Sequence, residues 1–318
     1  MPLLMCKDVP VYDINTGCVL RKELMPCDPF NLLKWKNARS FLRTNKAAES
    51  VLQKVIHLSF VLKRRLSLSD CYWIKDSREK KRFDQITPYM HPFVSMELIT
   101  KKTINTSVPD HTLGGSFPKY WVIRGDGQRA IRKLEPASMA QVEVECSNLL
   151  DRIKFPHACV EADGEGAVLI NNITNLKQML IPFHILGESA VGYDVSSVST
   201  VYAKYGIPRI EAEEYVLRTV LFDAIVGNYD RYQNMSNWAI YKDSDTGANK
   251  LPPVYDFNLA HLDAPNIYLR KIVEIIFAQA FARQAKVLLN EWKPHVRHSA
   301  WMSNLTELIR RMEKVTDI

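Results

Sequence analysis

Carboxylate and amide side chains cluster in the last third of the chain, in a spacing that suits phosphoryl transfer. Asp230 and Asn237 precede a strand-like segment, 238–241, and a second apolar run, 251–255, delivers another carboxylate at Asp256. Two short strands separated by a turn predict a hairpin with polar groups beside its strands. Phosphoryl transfer needs such a set, because one Asp orients a substrate hydroxyl while an amide and a second Asp hold Mg²⁺ on the phosphates of ATP.

The same stretch also fits a surface hairpin whose Asp and Asn residues do nothing more than form turns. Short motifs of this kind have false positives. The choice between the two interpretations depends on whether a phosphate-binding loop and a lysine occur upstream, in the order that a kinase needs.

A glycine-rich segment with a lysine does occur upstream. Gly114, Gly115 and Ser116 are followed by Lys119 and by a predicted hairpin over residues 120–134. Paired glycines let backbone N–H groups approach phosphate oxygens, and the hairpin supplies a floor for a nucleotide. The segment is not a Walker A loop, because no helix follows at once and Gly-Lys-Ser/Thr is absent.

The second strand of that hairpin contains a lysine with a candidate acidic partner. Strand alternation places Lys133 on the same face as Ile131, as expected of a lysine that reaches the phosphates. The predicted helix 139–153 then offers Glu143 or Glu145 to pair with it. The distance to the apolar pair further along the helix favours Glu143, and Glu145 stays open.

The elements around the acidic cluster can be read from the same sequence. Pro208 and the acidic residues after it favour a helix start, and Gly227 ends the helix that holds the cluster in place. Apolar periodicity predicts further helices at 272–281 and 304–315. The first part of the chain predicts a hairpin around residues 15–17 and an amphipathic helix between residues 31 and 66.

Taken in order, these features resemble the HipA-like serine/threonine kinases, a branch of the kinase-like fold that is related to phosphatidylinositol kinases. Residues 227–231 (GNYDR) and 237–238 (NW) match the family pattern Gly-Asn-x-Asp-Arg-His-x-x-Asn-Trp, and residues 114–119 (GGSFPK) are close to a family form. Tyr232 stands where the family has histidine, and the asparagine comes two residues late.

The resemblance implies an α+β, bilobal protein-kinase-like fold with a β-rich nucleotide lobe and a mainly helical C-terminal lobe. It covers about two thirds of the chain and leaves an extra N-terminal α/β segment. The implied domains are an accessory domain at residues 1–110, a kinase-like N-lobe with the glycine loop at 111–175, and a helical C-lobe with the catalytic loop at 176–318.

The resemblance also implies an ATP- and Mg²⁺-dependent serine/threonine kinase with assigned residues. Asp230 would orient the substrate hydroxyl, Asn237 and Asp256 would hold Mg²⁺, and Lys133 would bind phosphate oxygens. In addition, the backbone of Asn172, at the end of the hinge strand, would bind adenine.

The family spacing places the amide ligand at Met235, whose side chain cannot bind a cation that wants oxygen. Asn234 lies one residue before that position, and Asn237 lies two residues after it. We expect Asn237 to be the ligand, because it directly precedes the predicted strand, and a strand fixes its first residue more firmly than a loop does.

Implied partners are a protein substrate with Ser or Thr and, because such kinases are often toxins, a DNA-binding antitoxin. Two alternatives stay open. Tyr232 and the late asparagine disturb the catalytic loop, which leaves a kinase-fold protein that binds nucleotide or a partner without turnover. The net charge of +7 and the pI of about 9.0 leave open a second alternative, a basic protein that binds nucleic acid directly.

Length and composition set broad limits on these interpretations. A chain of 318 residues exceeds one typical domain. Six scattered cysteines without a Cys-x-x-Cys pair argue against a disulfide framework or a zinc ribbon. No apolar stretch reaches the ~18 residues of a membrane span, and the N-terminus lacks the pattern of a signal peptide. We therefore expect a cytoplasmic protein without a membrane partner.

Overall fold

The computed structural model describes residues 2–28, 30–38, 64–76, 78–87, 89–90, 117, 119–164, 166–188, 195–257, 259–260 and 281–316. Some sequence predictions lie outside these ranges. They are the glycine loop with Gly114, Gly115 and Ser116, the helix at 272–281, and most of the helix between residues 31 and 66.

The described elements are mainly strands in the first half of the chain and mainly helices in the second. In chain order they are β1 (Leu3–Cys6), β2 (Val9–Asp13), α1 (Leu32–Ala38), β3 (Tyr72–Lys75), β4 (Lys119–Ile123), β5 (Arg129–Leu134), α2 (Ala137–Arg152), β6 (Val160–Ala162), β7 (Ala167–Asn171), β8 (Gln178–Pro182), α3 (Phe183–Leu186), α4 (Val195–Lys204), α5 (Arg209–Val226), α6 (Asp230–Gln233), β9 (Ala239–Asp243), β10 (Asn249–Lys250), α7 (Ala282–Trp292) and α8 (Ser299–Thr316).

The chain divides into two compact units, each built from three segments, and the division falls within β7 and within β9. The three domains expected from the sequence stay a prediction. Unit 1 comprises Met1–Glu135, Leu169–Gly187 and Tyr241–Ala248, and unit 2 comprises Pro136–Val168, Glu188–Ile240 and Asn249–Ile318.

The first sheet of unit 1 has β1 at its centre, antiparallel to β2 on one side and to β3 on the other. The hairpin predicted around residues 15–17 is present in a short form: Tyr12 and Val19 form an antiparallel bridge, the Asp13 N–H donates to the Cys18 carbonyl at 2.9 Å, and the Leu20 N–H donates to the Val11 carbonyl at 2.9 Å. The physical reason for its short length is burial: β2 pairs with buried β1, whereas Val19 and Leu20 are exposed and gain nothing by extending the ladder.

The predicted β4–β5 hairpin is confirmed. The two strands pair in register from Lys119 opposite Lys133 to Ile123 opposite Arg129. Strand β5 also neighbours β7, and beyond that strand the Asn172 N–H donates to the Arg129 carbonyl at 3.1 Å. Buried Val122 and Ala130 form the core of this hairpin with Leu134 and Leu169, so local alternation and tertiary burial agree here.

The second predicted hairpin is shorter than expected. The apolar run predicts its second strand at residues 251–255, whereas β10 ends at Lys250. Pro252 and Pro253 follow after Leu251 and have no N–H to donate, so the ladder cannot continue through them. Val254 instead forms one parallel bridge with His157 in unit 2.

The turn after β9 contains a glycine that no other residue can replace without strain. Gly247 has a φ of +75°, and a Cβ built there would lie 2.1 Å from the Glu23 carbonyl oxygen. We expect Gly247→Ala to lower the free energy of unfolding by roughly 1–3 kcal/mol, because the turn must shift to remove this overlap.

Gly206→Ala is the matched control for this prediction. Gly206 has a similar φ of +81°, but a Cβ there meets nothing within 4 Å. That variant should lose only the cost of the left-handed backbone, about 1 kcal/mol. Urea unfolding of both variants measures the difference, and equal losses would show that the contact with Glu23 is unimportant.

Helix α5 is the centre of unit 2 and is buried on nearly every side. Pro208 stands at its N-cap, and Gly227 ends it with a φ of 73° and an N–H bond to the Asp223 carbonyl, as predicted. Helices α4, α7 and α8 pack against it, and Asn304 of α8 donates to the Ile225 carbonyl at 2.9 Å. The loop after Gly227 therefore begins at the end of a helix that is held in place by its neighbours.

The six cysteines are free thiols in this structure. Burial raises the pKa of Cys6 to about 12 and raises the pKa values of Cys71 and Cys146 well above the usual range. These three side chains therefore pack as neutral groups. Across the ranges given above, no helix combines the length and the hydropathy that crossing a bilayer requires.

Candidate active site

The loop after α5 makes two short helical turns before it enters β9. The first turn is α6, Asp230–Gln233, and the second is a 3₁₀ turn, Met235–Asn237. These turns bring Asp230 and Asn237 together, and Asn237 Nδ2 donates to Asp230 Oδ2 at 2.7 Å. The second turn takes up the two additional residues. Asn237 therefore lies beside Asp230, although it comes later in the sequence than the family pattern expects.

The two candidate asparagines use their side chains differently. Asn234 Oδ1 caps the 3₁₀ turn by accepting the Ser236 N–H at 3.0 Å, and its Nδ2 lies 3.4 Å from Asp230 Oδ2. Asn237 donates its Nδ2 to Asp230, so its Oδ1 is the amide atom directed away from that carboxylate. This arrangement favours Asn237 over Asn234 as an oxygen ligand.

Arg231 is the centre of the hydrogen-bond network that supports this loop. Its guanidinium donates to the Asn237 carbonyl at 2.5 Å and to the Tyr255 carbonyl at 2.9 Å. Its Nε pairs with Asp223 Oδ2 of α5 at 2.8 Å. One buried cation therefore links the helix, the residue proposed to bind a metal, and the segment that ends in Asp256.

The surroundings of Arg231 balance its charge. The side chains of Arg231 and Asp223 are 1% and 0% exposed, so each charge depends on the other. Asn228 Nδ2 donates to the other Asp223 oxygen at 3.0 Å, and the guanidinium lies 5.6 Å from the Trp238 ring and 5.3 Å from the Phe257 ring. This pairing was missed in the sequence analysis, although an Asp inside an apolar helix stripe signals a buried partner.

Asp256 lies next to this network in an uncommon backbone conformation. Its φ is +63°, in the left-handed region where Asp is tolerated better than most residues. The preceding Tyr255 is held at both ends: its carbonyl accepts from Arg231 and its hydroxyl donates to the Ser236 carbonyl at 2.7 Å. The structure thus fixes the backbone of Asp256 relative to the Asp230 loop.

This donor set fits Mg²⁺. The half-buried Asp256 would offer a carboxylate and Asn237 an amide oxygen, which are the hard ligands that this ion prefers. A second carboxylate, that of Asp230, lies beside Asn237. The role of each residue toward the ion stays a prediction.

Lys133 lies in unit 1 and is buried, with 2% of its side chain exposed. Its Nζ is 3.1 Å from Glu135 Oε2, and it lies 5.9 Å from the Phe117 ring centroid. Glu135 was missed as a partner, although two residues along a strand is the spacing that places side chains on the same face. Lys119 stands opposite Lys133 in the hairpin register, so this end of β4 and β5 carries two lysines.

The two glutamates predicted as lysine partners lie on α2 in unit 2. Glu143 is 1% exposed, whereas Glu145 is half-exposed and its Oε2 lies 3.3 Å from His298 Nε2. Glu143 is therefore the more buried of the two carboxylates. Its pairing with Lys133 stays a prediction.

Asn172 is part of the sheet at the end of β7. Its N–H donates to Arg129, and its Oδ1 accepts from the Thr174 N–H at 3.0 Å and the Thr174 hydroxyl at 2.7 Å. The Asn172 backbone carbonyl oxygen is therefore the atom that would form a hydrogen bond with adenine. This contact, like the role of Gly114, Gly115 and Ser116, stays a prediction.

No protein-family model matches the chain, and no curated protein matches it at a significant level. Solved structures do. HipA of the Shewanella oneidensis MR-1 toxin–antitoxin system, solved with HipB and its operator DNA, is similar with a TM-score of 0.58 and 14% identity over 100% of this chain and 98% of that chain. The chain has a HipA-like kinase fold.

A second solved structure, the Helicobacter pylori proinflammatory kinase CtkA, has a TM-score of 0.44 and 12% identity over 63% of this chain and 91% of that chain. A similarity of this size supports no conclusion by itself. The similarity to HipA, together with the mixed strands and helices described above, confirms the predicted α+β kinase-like fold class.

Proposed function

We propose that this protein is an ATP- and Mg²⁺-dependent phosphotransferase acting on Ser or Thr of a protein substrate. The observation that carries the proposal is the Asp230–Asn237 contact at 2.7 Å, which brings one carboxylate and one amide side chain of the same loop together. Fold similarity to a kinase supports it without assigning an activity.

In this proposal each residue acts by position and charge. Asp230 accepts the hydrogen bond of the substrate hydroxyl and orients its oxygen toward the γ-phosphate. Asn237 and Asp256 would hold Mg²⁺, which neutralises the charge that develops on the phosphates. Lys133 exchanges part of its contact with Glu135 for phosphate oxygens, and the buried Arg231 keeps the loop in place.

Binding of ATP with Mg²⁺ should raise the melting temperature. At about a hundredfold excess over Kd the complex gains ~2.7 kcal/mol, which for a chain of this size is roughly 5 °C. Asp256→Asn should lose most of the Mg²⁺-dependent part, because a neutral amide replaces an anionic ligand. Differential scanning fluorimetry with and without Mg²⁺ measures this shift.

Glu291→Gln is the control for that variant, because Glu291 is exposed on α7 and has no assigned role. It should keep the full shift. An unchanged Mg²⁺-dependent shift in Asp256→Asn would remove Asp256 from the proposed metal site.

A second candidate function is nucleotide binding without turnover. The altered catalytic loop favours it, because Tyr232 stands where the family has histidine and the asparagine comes two residues late. Incubation with γ-labelled ATP and a protein mixture, followed by phosphoamino-acid analysis, distinguishes the candidates. Labelled phosphoserine or phosphothreonine supports the kinase, whereas ATP-dependent stabilisation without any transfer supports the second candidate.

We also propose a DNA-binding partner protein. Its support is the fold similarity to HipA, which was solved with HipB and operator DNA. Co-purification with the product of an adjacent reading frame tests this proposal. Cytoplasmic location stays a prediction.

A further inference from the structure

Three side chains of different metal-binding types meet where α2 ends and β6 begins. They are Asp151, His157 and Cys159, and their ligand atoms all lie within 4.8 Å of one another. The Asp151 Oδ1 atom is 3.8 Å from His157 Nε2. All three residues belong to unit 2, and none takes part in the candidate active site.

The histidine is oriented as metal-binding histidines commonly are. Its Nδ1 lies 3.0 Å from the Phe155 carbonyl oxygen, which can only accept, so Nδ1 carries the proton. The lone pair of the neutral ring is then on Nε2, the nitrogen nearest to Asp151. A backbone carbonyl on the opposite nitrogen is a frequent outer partner of histidine ligands, because it fixes both the tautomer and the ring orientation.

A fourth polar group lies beside the cluster. Ser147 Oγ is 2.9 Å from His157 Nε2 and accepts the Val160 N–H at 3.0 Å. The hydroxyl proton is therefore directed to Nε2. On cation binding this hydroxyl would release Nε2 and turn its own oxygen toward the ion, or a water would take that position.

The spacing and the chemistry favour a borderline-soft divalent cation. In a tetrahedral zinc site, nitrogen and oxygen ligands at about 2.0–2.1 Å from the metal lie about 3.4 Å apart. The 3.8 Å between Asp151 and His157 is within a few tenths of an ångström of that value. A carboxylate and a thiolate would neutralise a divalent charge, and the nitrogen–sulfur pair disfavours Mg²⁺.

We propose that Asp151, His157 and Cys159 bind one Zn²⁺ or a similar ion, with a fourth position open to water or to Ser147. The ion can enter from solvent on the side of Asp151, whose side chain is 66% exposed. The His157 side chain is buried, at 4% exposed. Once bound, it would tie the last turn of α2 to the strand that follows. This site does not depend on the proposed phosphotransferase activity.

The proposal is tested by zinc titration of the full chain after treatment with a chelator, in competition with a chromophoric chelator. We expect one equivalent bound, with an affinity at least tenfold lower in Asp151→Ala and in Cys159→Ser. Asp151 is exposed, so its replacement should leave the fold intact. Co²⁺ in place of Zn²⁺ should give a thiolate charge-transfer band that Cys159→Ser abolishes.

Two controls identify the ligands. Cys18→Ser removes an exposed cysteine of unit 1 and should keep both the affinity and the Co²⁺ band. Asp256→Asn alters the proposed Mg²⁺ site and should also keep them, as should millimolar Mg²⁺. Absence of stoichiometric zinc binding, or equal binding in wild type and Asp151→Ala, would overturn the proposal and leave His157 as a hydrogen-bonded structural residue.

Discussion

Asn237→Ala is expected to abolish phosphoryl transfer, whereas Asn234→Ala keeps most of it. The Asn237 amide donates to Asp230 at 2.7 Å and presents its oxygen on the other side, so the variant loses an oxygen ligand and the orientation of the aspartate together. Losing such a group should cost on the order of 10²-fold or more in rate. Asn234 mainly caps a 3₁₀ turn, which affects stability more than chemistry.

The pair is a matched comparison, because the same substitution is made twice in one loop and both side chains face Asp230. Initial rates with γ-labelled ATP should be measured beside melting temperatures, so that a loss of fold is recognised. A larger loss in Asn234→Ala would reverse the assignment. Equal and full activity in both variants would remove this loop from the chemistry.

The largest effect on stability is expected at Arg231. Arg231→Met leaves the Asp223 carboxylate buried without its cation and removes the donor from two carbonyls, those of Asn237 and Tyr255. Breaking a buried ion pair on one side costs about 3–5 kcal/mol. Since domains have only about 5–15 kcal/mol of stability, this variant should unfold at much lower urea.

Two controls separate the buried charge from the loss of side-chain packing. The double variant Asp223→Leu with Arg231→Met removes both charges and should recover part of the loss. Arg209→Met breaks a half-exposed i,i+4 pair with Glu213 and should cost less than ~1 kcal/mol. If Arg231→Met costs no more than Arg209→Met, the buried pair contributes little to stability.

The sequence predicted elements whose signals are local. Helix α5 has a proline at its start and a glycine at its end, and the β4–β5 hairpin has alternating residues around a Gly-Asp-Gly turn. These signals act within a few residues, so no distant contact is needed to read them. The early stop of β10 was equally readable from two prolines, but the apolar run around them outweighed this signal.

Other features depend on contacts that the sequence does not display. The pairing of Arg231 with Asp223 and with two carbonyls requires that α5, the loop and the Asp256 segment converge. The choice between Asn234 and Asn237 depends on which amide oxygen caps a turn. Tertiary geometry decides such matters, so pattern reasoning could narrow the candidates but could not separate them.

The division of the chain into interleaved segments has a consequence for synthesis. Strand β9 contributes Tyr241–Asp243 to unit 1, beside β8, and these residues follow a long segment of unit 2. During translation, unit 1 cannot be completed until the chain beyond Ala248 has left the ribosome, at ~5–20 residues per second. Until then the edge of β8 that pairs with β9 is open, and an open strand edge can pair with another chain.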